Sequence, residues 1–197
     1  MNIIKHFFIK LKNHIEYWEY ELNKQRICEQ TGTNPSLLDL PPHFCISGCR
    51  YISIKGKFTA GEGLRMECID KYAGEEFTPY LEIGNGVVIN RNCHIGCINK
   101  IIIGDNVLLG SGILITDHSH GFLNDKEMDE SYIHRKLLSK GPIYIGENSW
   151  IGENACIMPN VSIGKGCIIG ANSVVTHNIP DYSVAVGCPA KVVKTIP

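Results

Sequence analysis

No run of about 18 consecutive apolar residues occurs in the chain, so no transmembrane segment is expected. A secretory leader is not expected either. Met1–Leu11 is partly apolar, but Lys5 and Lys10 interrupt it, Lys12 follows, and no small-residue cleavage site comes after. Surplus charge of one sign is missing too: 19 Lys and Arg stand against 20 Asp and Glu, for a formal net charge of −1. That balance argues against a broad surface for nucleic acid or anionic membrane and leaves room only for a local basic patch. The two-residue spacer of a zinc knuckle is absent, since Cys45/Cys49 and Cys93/Cys97 step by four. The expected setting is the cytoplasm, where thiols stay reduced. The nine cysteines are therefore read as small hydrophobes of a tight core rather than as a disulfide framework.

What is present fits one soluble domain of 197 residues, 44% apolar and 20% charged, large enough for a sizeable core. The N-terminal segment reads as an amphipathic helix over Ile3–Leu22. Ile4, Phe7, Leu11, Ile15, Trp18 and Leu22 recur at steps of three and four, and Lys5, Lys12, Glu16, Glu19 and Lys24 take the other side. Such a face has three outlets: the body of the chain, a second subunit, or peripheral contact with a membrane. Packing against protein is the commonest. Gly32, Pro35, Pro41 and Pro42 mark Thr31–Pro42 as a linker with a short turn. Residues 1–42 are thus helix and linker, and residues 43–197 the main domain.

That domain repeats. Aliphatic residues fall every sixth position at Ile83, Ile89 and Ile95, then at Ile103, Leu109 and Ile115. They resume at Ile145, Ile151, Ile157, Ile163, Ile169 and Val175. A two-residue slip precedes Ile103, a long insertion follows Ile115, and a weaker run (Ile46, Ile52, Phe58, Leu64) shares the step. Glycine follows many of these residues, as at Gly84, Gly96, Gly104, Gly152 and Gly170. Asn or Gly often stands two places further on, as at Asn106, Asn148, Asn154 and Gly166. An α-helix would scatter a period of six around its circumference. A chain that makes a short strand, turns a corner and repeats keeps it in register. Three sides then close a coil of roughly 18 residues, and about six coils stack into a parallel β-helix with aliphatic ladders inside. Gly and Asn suit corners that need unusual φ.

Two stretches break the ladders. Asp70–Tyr80 is charged and aromatic, and the insertion Ser119–Pro142 carries Asp125, Lys126, Glu127, Asp129 and Glu130. Long excursions from a rigid scaffold are often functional. His118, in Thr116-Asp117-His118-Ser119-His120, stands where the second one leaves. An imidazole titrates near neutral pH and can take a proton from a hydroxyl. Adjacent residues on a strand point oppositely, so Asp117 can pair with His118 only if the strand ends there. His120 and His134 are the reserve candidates for a base.

These repeats resemble the hexapeptide acyltransferase superfamily. Thr116-Asp117-His118, with Ile103-Gly104-Asp105-Asn106-Val107 upstream, resembles its maltose and galactoside acetyltransferase branch, and more closely the cell-surface polysaccharide O-acetyltransferases. The resemblance implies a left-handed β-helix and a homotrimer with sites at subunit clefts. It implies acetyl-CoA as co-substrate, no metal, and a hydroxyl of a sugar or glycan as acceptor. His118 would be the general base of a direct transfer within a ternary complex, with Asp117 orienting acceptor or base. Ile89-Asn90-Arg91-Asn92 matches a segment whose first asparagine contacts the acceptor, which points to Asn90, with Asn92 beside it. Both asparagines also suit plain corners, and Arg91 stands where the family has an aromatic.

The C-terminal part carries the resemblance further. Ser149-Trp150-Ile151-Gly152, Ile169-Gly170-Ala171 through Thr176, and Val186-Gly187-Cys188-Pro189-Ala190-Lys191-Val192-Val193-Lys194 match the family's last coils and acetyl-CoA groove. By that match the backbone of Gly152 and Ala171 lines the pantetheine arm and Thr176 lies near the adenine. Lys191 and Lys194 approach the phosphates, Trp150 walls the site near His118, and residues 181–197 cap the domain. His177 replaces a common lysine, and Lys191 and Lys194 replace arginines.

Rival readings remain at this stage. Sugar N-acetylation needs similar base chemistry. The γ-class carbonic anhydrases share the β-helix and would offer His94, His118 and His120 to zinc, although the spacing does not match that family. A non-catalytic scaffold in polysaccharide assembly would need only the repeats. A covalent route through Cys93 or Cys97 has no activating histidine beyond His94.

Overall fold

Strands of two to six residues cannot stand alone, and here those of the three main sheets are held by strands of neighbouring coils. The computed structural model describes residues 2–121 and 129–196. Asp125, Lys126 and Glu127 of the insertion lie outside the described residues, as does the side chain of Ile4. From Leu38 onward the chain visits three sheets in rotation. The first sheet has eight strands, from Leu38–Asp39 to Ala190–Thr195. The second has six, from Phe44–Ser47 to Val174–Val175, and the third five, from Ile52–Ile54 to Ser162–Ile163. Neighbours in these sheets are parallel, except that Ala190–Thr195 turns back antiparallel on Ser183–Gly187.

The expected ladders form the core. Ile83, Ile103, Ile145 and Ile163 stack in register, as do Ile89, Leu109, Ile151 and Ile169, and Ile95, Ile115, Ile157 and Val175; all are buried. The weaker run Ile46, Ile52, Phe58 and Leu64 is buried with them. Burying each such side chain contributes about 1.5–3 kcal/mol. The slip before Ile103 is absorbed between the strands His94–Cys97 and Lys100–Ile103. The corners behave as the sequence predicts: Asn106, Asn148, Asn154 and Gly166 take φ of 55°, 58°, 56° and 62°. The coil also begins earlier than the linker reading supposes. Pro35–Leu37 forms a 3₁₀ turn with Asn34 as its cap, and Leu38–Asp39 already pairs with Phe58–Thr59.

The N-terminal helix, α1, spans Asn2–Thr31. Of the three outlets for its apolar face, the body of its own chain is not the one used. Only its last turns dock: Ile27 and Cys28 are buried, and Tyr20 meets Phe44 edge-on at 6.3 Å and donates to the Leu40 carbonyl at 3.3 Å. Phe7, Phe8, Leu11, Ile15, Trp18 and Leu22 stay 43–62% exposed. The polar side of α1, with Asn13, Glu16, Tyr20 and Asn23, faces the coil across a groove of about 930 Å³. The apolar face therefore points away from the chain's own body. No described helix is long and apolar enough to cross a membrane.

Candidate active site

The strand Leu114–Thr116 of the second sheet stops at Thr116, and Asp117 turns inward to full burial. Its carboxylate accepts the backbone N–H of Ile98 at 3.0 Å and of Asn99 at 2.8 Å. Its Oδ1 lies 3.0 Å from His118 Nδ1. The pair that alternation would forbid thus forms because the strand stops at Thr116. His118 is held further by Thr116, whose Oγ1 donates to the His118 carbonyl at 3.1 Å, and its side chain is only 11% exposed.

Gly96 explains where the ring goes. It occupies an outward position on His94–Cys97, between Glu67 and Thr116 on the neighbouring strands. A Cβ on Gly96 would lie 3.1 Å from His118 Cε1, 3.8 Å from its Nε2 and 3.7 Å from His94 Nε2. The missing side chain leaves the space in which the His118 imidazole sits beside His94. Glu67 binds His94 Nε2 at 3.2 Å and accepts from Arg65 Nη2 at 2.7 Å. Burial, and then the charge of Arg65, push His94 below the ordinary histidine range, with Glu67 acting against them. This Arg65–Glu67–His94 cluster beside the candidate base was not legible as a unit. Its members belong to two coils, and only register brings them together.

The two excursions meet next to it. Lys71–Tyr72 and Glu75–Glu76 form a hairpin, and His118–His120 runs antiparallel to Leu137–Ser139. Tyr72 donates to the Ile133 carbonyl at 2.8 Å, its ring lies 5.4 Å from that of His120, and Lys136 pairs with Glu75. The result is one wall beside His118. His134 is exposed on that wall.

The remaining predicted residues gather elsewhere. Trp150 is half exposed on the first sheet, in register with Leu108 and Ile168. Asn90 occupies the corner after that sheet and donates its backbone N–H to the Leu109 carbonyl at 3.0 Å, in the same row as Gly110 and Gly152, which donate to Ile151 and Ile169. Gly152 lies against Ala171, where a Cβ would fall 2.6 Å from the Ala171 nitrogen. Lys191 and Lys194 are exposed on the last strand, opposite Val186 and Val184. Asn92 has φ of 57° and serves a corner. Thr176 instead follows Val175 at the end of the second sheet, in the row of Thr116 and Met158. One chain thus holds two sets. Asp117, His118 and Thr176 close the second sheet, while Asn90, Trp150, Gly152, Ala171, Lys191 and Lys194 line the first. The breadth of the second sheet divides them, so Trp150 does not wall His118 within a chain.

All nine cysteines are free. Burial raises the Cys93 thiol, and Cys97 is raised first by its hydrogen bond with Cys68 and then by burial, which disfavours a thiolate nucleophile at either. Among the described residues no three His, Cys, Asp or Glu are placed to hold a metal ion. His94, His118 and His120 instead engage Glu67, Asp117 and Tyr72.

Comparison with known proteins agrees with this architecture. Residues 142–177 match the family described as bacterial transferase hexapeptide (six repeats), and residues 100–116 the hexapeptide repeat of succinyl-transferase. A protein of Escherichia coli K12, provisionally named as a lipopolysaccharide biosynthesis O-acetyl transferase, WbbJ, is 36% identical over 73% of this chain and 71% of its own length. The probable acetyltransferase Rv3034c of Mycobacterium tuberculosis is 40% identical over 58% of this chain, but this covers only 37% of that protein. Among solved structures, a maltose O-acetyltransferase from Clostridium difficile 630 aligns with TM-score 0.55 and 24% identity, over 93% of this chain and 89% of its own. The hexapeptide-repeat acetyltransferase VCA0836 of Vibrio cholerae aligns with TM-score 0.58 and 21% identity, over 93% and 92%. At these identities the structural likeness carries the fold alone. The sequence match to WbbJ carries more, and by it the chain belongs to the hexapeptide-repeat acyltransferases.

Proposed function

We propose that this enzyme moves an acetyl group from acetyl-CoA to a hydroxyl of a sugar or glycan, with His118 as general base. The observation that carries this reading is the buried Asp117. An ionised carboxylate that already accepts two backbone N–H groups can only accept from the imidazole, so it fixes the proton on His118 Nδ1. Nε2, 3.8 Å from where a Gly96 Cβ would lie, is then left with its lone pair. There it takes the acceptor proton as the oxygen attacks the thioester carbonyl. The tetrahedral intermediate collapses, the CoA thiolate leaves, and the imidazolium returns the proton. Base catalysis supplies about 10²- to 10⁴-fold, and holding both substrates together supplies much of the rest.

On this reading the coil is left-handed and the protein a homotrimer. Asn90 contacts the acceptor, and Gly152, Ala171, Thr176, Lys191 and Lys194 receive the CoA. Trp150 walls the thioester against the His118 of a neighbouring copy. The nine free thiols suit a reducing cytoplasm. The relative WbbJ, named for O-acetylation, favours a hydroxyl acceptor over an amine. The decisive experiment follows thiol release from acetyl-CoA with a panel of sugars, amino sugars among them, in wild type and His118→Ala. Release that depends on a hydroxyl acceptor and is lost in the variant supports the proposal. Release confined to amino sugars would replace O-transfer by N-transfer.

A further inference from the structure

The apolar stripe of α1 has no cover among the described residues. Phe7, Phe8, Leu11, Ile15, Trp18 and Leu22 fall within one arc of the helix, and each is at least 43% exposed. The body of the chain lies on the other side, across the groove. A contiguous apolar surface of this kind marks an interaction site. Charge indicates the partner. By helical position Lys5 and Lys12 border one edge of the stripe and Lys10 the other, and no Asp or Glu precedes Glu16. Lys12 shares Glu16 at 3.4 Å, so the positive character is greatest toward the amino end. Parallel copies of the helix would set these lysines against one another. At an anionic bilayer the lysines sit at the level of the headgroups, with their stems over the apolar edge and Phe and Trp rings at the acyl boundary.

We propose that α1 docks the enzyme on an anionic lipid surface, lying in the plane of the interface with its aromatic and aliphatic stripe inserted. The near-neutral chain does not oppose this, because the patch is local. The inference stands independently of the transfer chemistry, and its test needs no turnover. The full chain is floated with phosphatidylcholine vesicles, and with vesicles in which a third of the lipid is phosphatidylglycerol. Molar mass and thermal melting are followed in parallel. The expected result is flotation with the anionic vesicles only, weakened by salt. Lys5→Gln/Lys10→Gln is expected to weaken partition roughly ten- to thirtyfold. Leu11→Glu/Ile15→Glu is expected to abolish it at unchanged melting and mass. Equal flotation with both vesicles, or none with either, overturns the proposal. So does a fall in molar mass in Leu11→Glu/Ile15→Glu, which would assign the stripe to a second copy of the chain.

Discussion

In the proposed mechanism, residue-scale chemistry turns on Asp117 and His118, held 3.0 Å apart. Position at a loop exit made His118 legible in the sequence. The Asp117 contact was legible only as a condition, because it depends on the strand ending at Thr116, and strand ends are set by backbone pairing. His118→Ala is expected to lower kcat about 10²- to 10⁴-fold with little change in melting. Asp117→Asn presents an amide where two backbone donors and an imidazole converge. It should cost about 1–3 kcal/mol of stability in denaturant titration and lower kcat as the imidazole loses its fixed tautomer. Gly96→Ala places a methyl group 3.1 Å from His118 Cε1 and should lower kcat while leaving the fold intact. Only a contact map could have singled out Gly96, since the repeat explains a glycine there without it. His94 gives a pH signature. Its folded pKa is lowered, so below the ordinary value of about 6.5 the unfolded chain binds more protons and stability falls as pH falls. His94→Gln should flatten that decline below about pH 6.5 in melting experiments. An unchanged slope would locate the dependence in other groups.

Element by element, the period of six specified the coil because each inward aliphatic residue has a partner in the next coil. It did not specify α1. An apolar stripe says that a face wants cover, not which way the helix will turn, and here the docked contacts of Tyr20, Ile27 and Cys28 aim the stripe outward. Nor could it show that the excursions at Asp70–Tyr80 and Ser119–Pro142 meet through Tyr72, because that contact spans different coils. The ladder carries its own prediction. Ile115 is fully buried between Ile95 and Ile157, so no surface collapse can fill the space it leaves. Ile115→Ala should destabilise the protein by about 2–5 kcal/mol in denaturant unfolding.

At the scale of the whole molecule, the division of site residues between the first and second sheets has a consequence for assembly. In a single chain His118 and Asn90 sit at different corners of the triangular coil, so a site using both takes them from adjacent copies. In the homotrimer proposed above, a threefold ring with heterologous contacts would do this three times over, each copy giving its His118 corner to one neighbour and its Asn90 corner to the other. The arrangement can be read from mixtures of dead enzymes. His118→Ala retains Asn90 and Asn90→Ala retains His118, so neither forms a complete site alone. In trimers assembled at random from equal amounts, roughly a quarter of the contacts pair an intact His118 with an intact Asn90. Co-expressed and purified together, the two variants should therefore recover about a quarter of wild-type thiol release, whereas mixing preassembled trimers should recover none. Failure to recover activity, with mixed trimers demonstrated by differently tagged chains, would rule out a site shared between copies. It would also remove Asn90 from the acceptor site, because nothing in the fold of a single copy brings it to His118.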